Sequence, residues 1–351
     1  MKTHLTDRAV DRLLEWYREN RRDLPWRHTS DPYCIWISEI MLQQTRVEAV
    51  KPYYARFLET CPNVQALAEL PQERLYKLWE GLGYYSRARN LQKAARTVVE
   101  QYGGEMPRTY RELRTLSGIG DYTAGAIASI AYGERVPAVD GNVLRVLARL
   151  CASYDDIADP KTKVRFAKEL EPLVPLSAGD FTQALIELGA TVCVPNGEPK
   201  CEICPLRDTC EACIRSLTDE LPVRSPKKPR RIEQKTVFII RDETRTALCK
   251  RPPKGLLAGL YELPNADGHL TSDEALCHLR TIGFEPIRIE RVEDSKHIFT
   301  HIEWHMIAYD VRITPEFDGL HGQSGMILVP NGELHKSYAI PSAFGAYVKY
   351  L

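Results

Sequence analysis

Between Leu221 and Arg231 the periodicity of the sequence changes, and that change constrains the fold more than any other feature. The stretch L-P-V-R-S-P-K-K-P-R-R holds three prolines and five basic residues, a composition suited to an extended connector rather than a helix or a strand. Before it, from Asp7 to about Leu217, apolar residues recur at helical spacing. After it they alternate, as in V-F-I-I, T-A-L-C-K, I-R-I-E-R-V, H-I-E-W-H-M-I-A-Y-D-V and G-M-I-L-V, with one helix expected over Ser272–Thr281. The expectation is therefore a mainly α domain over residues 1–220, a linker over 221–231 and an α+β domain over 232–351. A chain of 351 residues is long enough for two such domains at about 150 residues each.

Within the helical half, Asp31-Pro32 reads as an N-cap followed by proline at the first helical position, opening Y-C-I-W-I-S-E-I-M-L-Q-Q-T. Further helical periods run over Glu73–Trp79, Ser86–Tyr102, Tyr110–Leu116, Tyr122–Tyr132, Asn142–Leu150, Lys161–Leu173 and Asp180–Thr191. No run approaches 18 apolar residues, and the first 30 residues are studded with charge. The sequence thus gives no sign of a membrane span or secretory leader, and a cytoplasmic protein is expected.

Formal charge is balanced, 47 basic against 47 acidic residues, so a polyanionic partner can be argued only from local runs. From Arg74 to Arg114 nine Lys and Arg face four Glu, and from Leu221 to Lys235 six face Glu233 alone. Such stretches suit a surface that tracks phosphates, although a solvated helical face produces the same pattern.

The chain has ten cysteines, and in an intracellular protein that number points toward metal rather than disulfides. Cys193, Cys201, Cys204 and Cys210 stand with seven, two and five residues between successive members. Four thiolates in so short a loop need a positive centre, and an iron–sulfur cluster supplies one. Zinc stays chemically possible, though structural zinc usually takes two Cys-x-x-Cys pairs. Cys213 forms a second Cys-x-x-Cys with Cys210 and could compete as a ligand. Cys34, Cys61, Cys151, Cys249 and Cys277 read as small core residues.

In T-L-S-G-I-G-D-Y-T-A-G-A-I-A-S-I-A, Gly118 and Gly120 separate an apolar helix from a small-residue helix that starts near Asp121. Glycine permits the tight turn, and the free N–H groups of the second helix can hold a phosphate oxygen. A plain helical hairpin would look similar, but the flanking Leu116 and Ile119 and the Ala-rich second helix match the helix-hairpin-helix used for sequence-independent phosphate contact. Glu39 lies among Ile35, Trp36 and Leu42, where desolvation would favour its neutral form, unless a buried Arg pairs with it. Asp140, in V-P-A-V-D-G-N-V, fits a helix N-cap.

Taken together, W-I-S-E-I-M-L-Q-Q-T, L-S-G-I-G-D-Y-T-A, A-V-D-G-N-V and the four-cysteine loop resemble the endonuclease III superfamily of DNA glycosylases, and most of all its MutY-type adenine DNA glycosylases. The resemblance covers nearly the whole chain, since residues 232–351 look like that family's MutT-like (Nudix) domain. It implies a helix-hairpin-helix glycosylase with a 4Fe-4S cluster loop joined to an α+β lesion-recognition domain. The implied substrate is double-stranded DNA with adenine opposite 8-oxoguanine, attacked by a monomer. On the residues, the resemblance implies that Glu39 is the general acid that protonates adenine N7 and that Asp140 is the second carboxylate, which stabilises or traps the oxocarbenium-like sugar. Asn142 would give polar support. Tyr122 stands where strand-cleaving relatives carry a Schiff-base lysine, and a phenol cannot form that imine, so a monofunctional enzyme follows. Arg27, Trp26 and Gln183 would surround the flipped adenine. Gln44 and Tyr84, with Leu82 beside it in G-L-G-Y-Y, would wedge into the duplex.

The resemblance assigns lesion reading to K-H-I-F-T-H, with Phe299, Thr300 and His301 as the chief contacts. The MutT-like half lacks an Arg-Glu-x-x-Glu-Glu helix: S-D-E-A-L-C-H-L-R holds too few carboxylates for Mg²⁺ and a diphosphate, so binding without hydrolysis is expected. His297, His301 and His305 recur at four-residue steps, but the alternation of Ile302, Trp304 and Met306 argues for strand over metal site. Three departures from the family pattern stand out: a seven-residue first gap in the cysteine loop where six is usual, Ser117 for proline in the hairpin, and Thr300 for serine. Two other readings remain, a thymine or damaged-pyrimidine glycosylase of the same superfamily and a non-catalytic lesion-binding protein.

Overall fold

The computed structural model describes residues 1, 4–226, 228–315 and 325–351. The chain divides into two compact units, Met1–Glu69 with Arg89–Pro226, and Leu70–Ala88 with Lys227–Leu351.

In chain order the helical half contains α1 (Asp7–Asn20), α2 (Pro32–Leu42), α3 (Val47–Thr60), α4 (Val64–Glu69), α5 (Gln72–Trp79), α6 (Ser86–Tyr102), α7 (Tyr110–Leu113), α8 (Asp121–Tyr132), α9 (Gly141–Leu150), α10 (Pro160–Leu170), α11 (Ala178–Thr191) and α12 (Glu211–Ile214). α5 belongs to the second unit. Capping explains several starts. Asp31 accepts from the Tyr33 N–H at 2.8 Å with Pro32 next to it, and Asp159 accepts from Lys161 at 2.9 Å ahead of Pro160; both satisfy donors that a helix start leaves orphaned. α2 buries eight of its eleven residues, so it is a core helix covered nearly all round.

Two predicted helices are shorter than the periodicity suggests. The one expected over Tyr110–Leu116 stops at Leu113, because the chain must turn into the hairpin. The one expected over Lys161–Leu173 ends at Leu170 and tightens into a 3-10 turn at Glu171–Leu173, where Pro172 has no N–H to continue the ladder. The core joins α1, α9, α10 and α11 through Leu13, Tyr17, Leu147, Phe166, Phe181 and Leu188.

The second unit adds β1 (Arg231–Arg241), β2 (Arg245–Lys250), β3 (Tyr261–Glu262), β4 (Asn265–Asp267), α13 (Ser272–Thr281), β5 (Arg288–Ile298), β6 (Ile302–Arg312), β7 (Met326–Pro330) and α14 (Asn331–Ser337), ending in a 3-10 segment over Ser342–Tyr350. Arg231, expected at the end of the linker, is the first residue of β1. Among the described residues the strands form one mixed sheet in the order β3-β2-β1-β6-β5, with β4 paired to β1 and β7 to β2. β1 and β6 run parallel, and the other pairs are antiparallel. Alternation along β1 splits the core: Val237 and Ile239 pack with Trp304, Phe344 and Tyr347, while Phe238 and Ile240 pack with Leu279 and Tyr309.

The inserted segment 70–88 is tied to this unit by polar contacts. The Ile340 N–H donates to Glu80 Oε1 at 2.9 Å, Lys77 Nζ donates to the Tyr338 carbonyl at 3.4 Å, and Lys250 pairs with Glu73 at 3.3 Å. Of the five cysteines read as core residues, Cys61 is buried, Cys34, Cys151 and Cys249 are half-buried, and Cys277 is exposed on α13. The apolar sequence around Cys277 misleads because the residue lies on the outer face of an amphipathic helix.

Candidate active site

Three side chains from three helices meet in the first unit. Glu39 lies on α2 and is buried. Tyr122 is the second residue of α8, just after the hairpin, and its hydroxyl is hydrogen-bonded to the Glu39 carboxyl. Asp140 is the N-cap of α9, accepting from the Val143 N–H at 2.8 Å and from Asn142 Nδ2 at 2.8 Å. Burial pushes the Glu39 carboxyl up to about 7; the Tyr122 hydrogen bond opposes this, the nearby Asp140 charge adds to it and Arg27 opposes it. Burial also raises Asp140, against the donors from Val143 and Asn142 and the Arg145 charge, which all favour its anion. Tyr122 is raised well above an ordinary phenol by burial and by both carboxylates, so it stays a neutral donor. The cluster therefore pairs a carboxyl poised to be an acid near neutral pH with a second one whose hydrogen bonds favour its charged form.

Arg27 follows Trp26 in a 3-10 turn at Pro25–Arg27. Trp26 is buried with its ring edge-on to Tyr54, centroids 5.5 Å apart. Arg27 donates to Glu187 Oε2 at 2.7 Å and to the Arg22 carbonyl at 3.0 Å, with its guanidinium 5.6 Å from the centre of the Tyr17 ring. Gln183 is half-buried on α11, one helical turn before Glu187. Gln44 follows the end of α2, exposed and with φ of 58°, a left-handed backbone that a non-glycine residue adopts at a cost of about 1–2 kcal/mol.

In the hairpin, Gly118 has φ of 78°, and a Cβ there would lie 2.6 Å from the Cβ of Asn90. Gly120 is the N-cap of α8 with open space where a Cβ would point. Ser117, in place of proline, donates to Asn90 Oδ1 at 3.3 Å.

Residues that the sequence did not single out connect these parts. Arg145 on α9 donates to Asn142 Oδ1 at 2.9 Å, to the Gly189 carbonyl at 2.7 Å and to the Cys193 carbonyl at 2.7 Å. Arg149, one turn later, donates to Cys193 Sγ at 3.4 Å and to the carbonyls of Val194, Thr218 and Leu221. The signal for both was available, since each is a charged residue at an apolar helical position, but apart from Asn142 the partners named lie 44 or more residues away in the chain.

Cys193, Cys201, Cys204, Cys210 and Cys213 line one apolar pocket with Leu188, Arg149 and Arg207. Within the first cysteine gap the chain turns at Gly197, with φ of 74°. Burial, and next the neighbouring thiols, push Cys201 up to about 11, while burial pushes Cys204 up to about 12. Thiolates in this pocket therefore require a cationic metal centre. Among the described residues no three Cys, His, Asp or Glu side chains are gathered to hold a single ion. A tetrahedral zinc with bonds of about 2.3 Å would need its four sulfurs crowded together. Five thiols in one apolar pocket flanked by arginines are the donor set that a thiolate-bound iron–sulfur cluster would use.

In the second unit, Tyr84 is exposed with φ of 47°, and its hydroxyl lies 3.3 Å from Thr300 Oγ1. Leu82 is buried, and the loop carbonyls are held: Gly83 accepts from Trp79 Nε1 at 3.0 Å, and Leu82 accepts from Arg87 at 2.9 Å. Phe299, Thr300 and His301 form the turn between β5 and β6. Phe299 is wedged edge-on between His297 and Trp304, with centroids 4.6 and 4.9 Å away, whereas Thr300 and His301 are exposed. His297 is half-buried on β5, and His305 on β6 is hydrogen-bonded to Glu303. On α13, Glu274 closes a capping box with Thr271, which engages one of the few carboxylates of that helix.

Residues 37–173 match the family of HhH-GPD superfamily base excision DNA repair proteins, and residues 236–350 match the NUDIX domain family. The adenine DNA glycosylase of Mus musculus is 36% identical over 86% of this chain and 70% of its own length; that of Homo sapiens is 35% identical over 91% and 68%. The adenine DNA glycosylase of Buchnera aphidicola (strain APS) is 33% identical over 86% and 85%. Among solved structures, a thermostable thymine-DNA glycosylase superposes with a TM-score of 0.54 at 32% identity, covering 59% of this chain and 95% of the other. A non-covalent endonuclease III–DNA complex gives a TM-score of 0.51 at 26% identity, with 60% and 95% covered. A helical unit with paired carboxylates at its centre, a Nudix-type second unit and relatives of one kind matched over more than two thirds of their length agree: the chain belongs to the HhH-GPD superfamily of base excision DNA repair proteins and, within it, to the adenine DNA glycosylase family.

Proposed function

We propose that this protein hydrolyses the N-glycosidic bond of adenine paired with 8-oxoguanine in double-stranded DNA, acting as a monomer and leaving an abasic site with the backbone intact. The observation that carries the reading is the Glu39–Tyr122–Asp140 cluster. Adenine leaves readily only when protonated, and a carboxyl held near 7 by burial can deliver that proton at N7. Asp140, with hydrogen bonds that favour its anion, faces the positive charge that grows on the sugar, by contact or by a transient covalent bond. Tyr122 donates to Glu39 and supplies no amine, which favours hydrolysis without strand cleavage. Asn142 orients Asp140 from the same helix end.

Arg27, Trp26 and Gln183 are assigned to the flipped adenine, and Gln44 and Tyr84, with Leu82 beneath, to the opened duplex. The Gly118–Gly120 hairpin, whose second helix starts without a side-chain cap, is assigned to the phosphate backbone. Phe299, Thr300 and His301 are assigned to the 8-oxoguanine, and the Tyr84–Thr300 hydrogen bond supports this by fixing both side chains in one place. Cys193, Cys201, Cys204 and Cys210 are assigned to a 4Fe-4S cluster, which when bound would tie the loop after α11 into one rigid body. The test is incubation of purified protein with duplexes carrying adenine opposite 8-oxoguanine, guanine, cytosine or thymine. Free adenine is expected chiefly from the first, with strand breaks only after alkali. Release of thymine instead, or breaks without alkali, overturns the reading.

A further inference from the structure

Glu187 is a charged side chain on α11 with no exposure to solvent, and nothing in the reaction outlined above employs it. Its two oxygens accept four hydrogen bonds: from the Arg22 backbone N–H at 2.9 Å, Arg22 Nε at 2.8 Å, Arg22 Nη2 at 2.7 Å and Arg27 Nη2 at 2.7 Å. A fully desolvated carboxylate is retained only where it is fully paired. Here the pairing joins α11 to the segment that carries Trp26 and Arg27 into the adenine site. We propose that Glu187 is a positioning residue of that site: it anchors the Arg27 guanidinium and cancels part of its charge where that charge faces Glu39. The proposal rests on the glycosylase reading for its consequence, though not for its geometry.

The charges around the two groups are few. Glu39 is faced by Tyr122 from α8, Asp140 from α9 and Arg27 from the 3-10 turn. Arg27 is faced by Glu187 from α11 and by the Tyr17 ring from α1, and Arg22 is influenced in addition by Glu48 from α3. Arg27 opposes the neutral form of Glu39, so a bare Arg27 would take the proton-loaded acid away near neutral pH. Glu187 limits that effect while fixing where the guanidinium points. The Arg22 guanidinium competes for the same carboxylate, and its removal leaves Glu187 to Arg27 and the backbone N–H of residue 22. The two substitutions therefore act in opposite directions.

The experiment follows Glu39 titration by carbon-13 NMR in the DNA-free protein, alongside single-turnover adenine release from pH 6 to 8. For Glu187→Gln the Glu39 midpoint should fall by about half a unit or more, making the loss of release about threefold deeper at pH 8 than at pH 6, with duplex affinity held within about threefold. For Arg22→Gln, the milder change at a partly exposed residue, the midpoint should rise. Glu187→Asp, which keeps the charge, should recover most of the Gln loss. Unmoved midpoints in folded Glu187→Gln and Arg22→Gln proteins overturn the proposal, and if Glu187→Gln does not fold, an unmoved or falling midpoint in Arg22→Gln does so alone. A wild-type protein that releases no adenine overturns the glycosylase reading instead, while the NMR midpoints still decide the role of Glu187.

Discussion

Glu39 is destabilising where it stands, and that follows from its position rather than from a packing fault. A carboxyl whose folded value is raised from 4.5 to about 7 favours folding only while both states hold the proton. As pH climbs from 4.5 through 7 the unfolded chain ionises first, and stability is lost, levelling off above 7 at up to about 3 kcal/mol. Glu39→Gln should therefore abolish base release and yet melt higher than wild type at pH 8, with the difference shrinking to about a quarter at pH 5 and vanishing below about pH 4; thermal unfolding across that range checks it. An unchanged melting point at pH 8 would mean that the carboxyl is not desolvated. Glu187 behaves in the opposite sense. Burial pushes its carboxyl up, but the hydrogen bonds from Arg22 and Arg27 outweigh this and bring it down to about 2, so its contribution is present above about 4.5 and fades as pH falls toward 2. The sequence made Glu39, Tyr122 and Asp140 legible because each sits in a local motif whose chemistry can be argued from its neighbours. Glu187 and Arg22 were not legible, because their partnership spans 165 residues and appears only when α11 packs against the segment after α1.

At the level of the element, the hairpin between α7 and α8 separates what glycine does for the fold from what it does for binding. Gly118 occupies left-handed backbone and has no room for a methyl group beside Asn90, whereas Gly120 lies at φ of −89° facing open space. Gly118→Ala should cost about 1–3 kcal/mol, shifting the melting point by roughly 3–10 °C, while Gly120→Ala should stay within about 1 °C. Calorimetry of both variants decides the matter, and equal shifts would remove the distinction. Helix positions were legible wherever a cap or a proline punctuated the pattern, as at Asp31-Pro32, and Ser272–Thr281 coincides with α13. Helix ends set by a turn or by 3-10 tightening, as at Leu113 and Leu170, were not legible, since periodicity continues past the point where hydrogen bonding stops. The short strands β3 and β4 were missed because two or three residues carry too little alternation to register.

For the molecule as a whole, the change of period near residue 221 announced two folding classes but not their membership. Nothing in the composition of Leu70–Ala88 separates it from the helices on either side; what assigns it to the second unit is a set of contacts with residues near Tyr338 and Ile340, more than 250 positions later. The four-cysteine loop is a further feature at this scale. Cys193 is held through its backbone by Arg145 and through its sulfur by Arg149, and both arginines belong to the helix that Asp140 caps. Stripping iron with a chelator should therefore lower the melting temperature of the first unit and slow adenine release together. Full iron content in a Cys213→Ser protein, set against loss in Cys204→Ser, would identify the ligand set by colorimetric iron assay.

The insertion of Leu70–Ala88 also fixes an order of events at the ribosome. Lys77 and Glu80 leave the exit tunnel early, but the backbone groups that pair with them are among the last to be made. At about 5–20 residues per second that interval is roughly 10–50 s, during which Lys77 and Glu80 lack those backbone partners. The stretch that bears Tyr84 thus gains these ties only after the second unit has been synthesised, and translation halted at residue 226 would leave it without them.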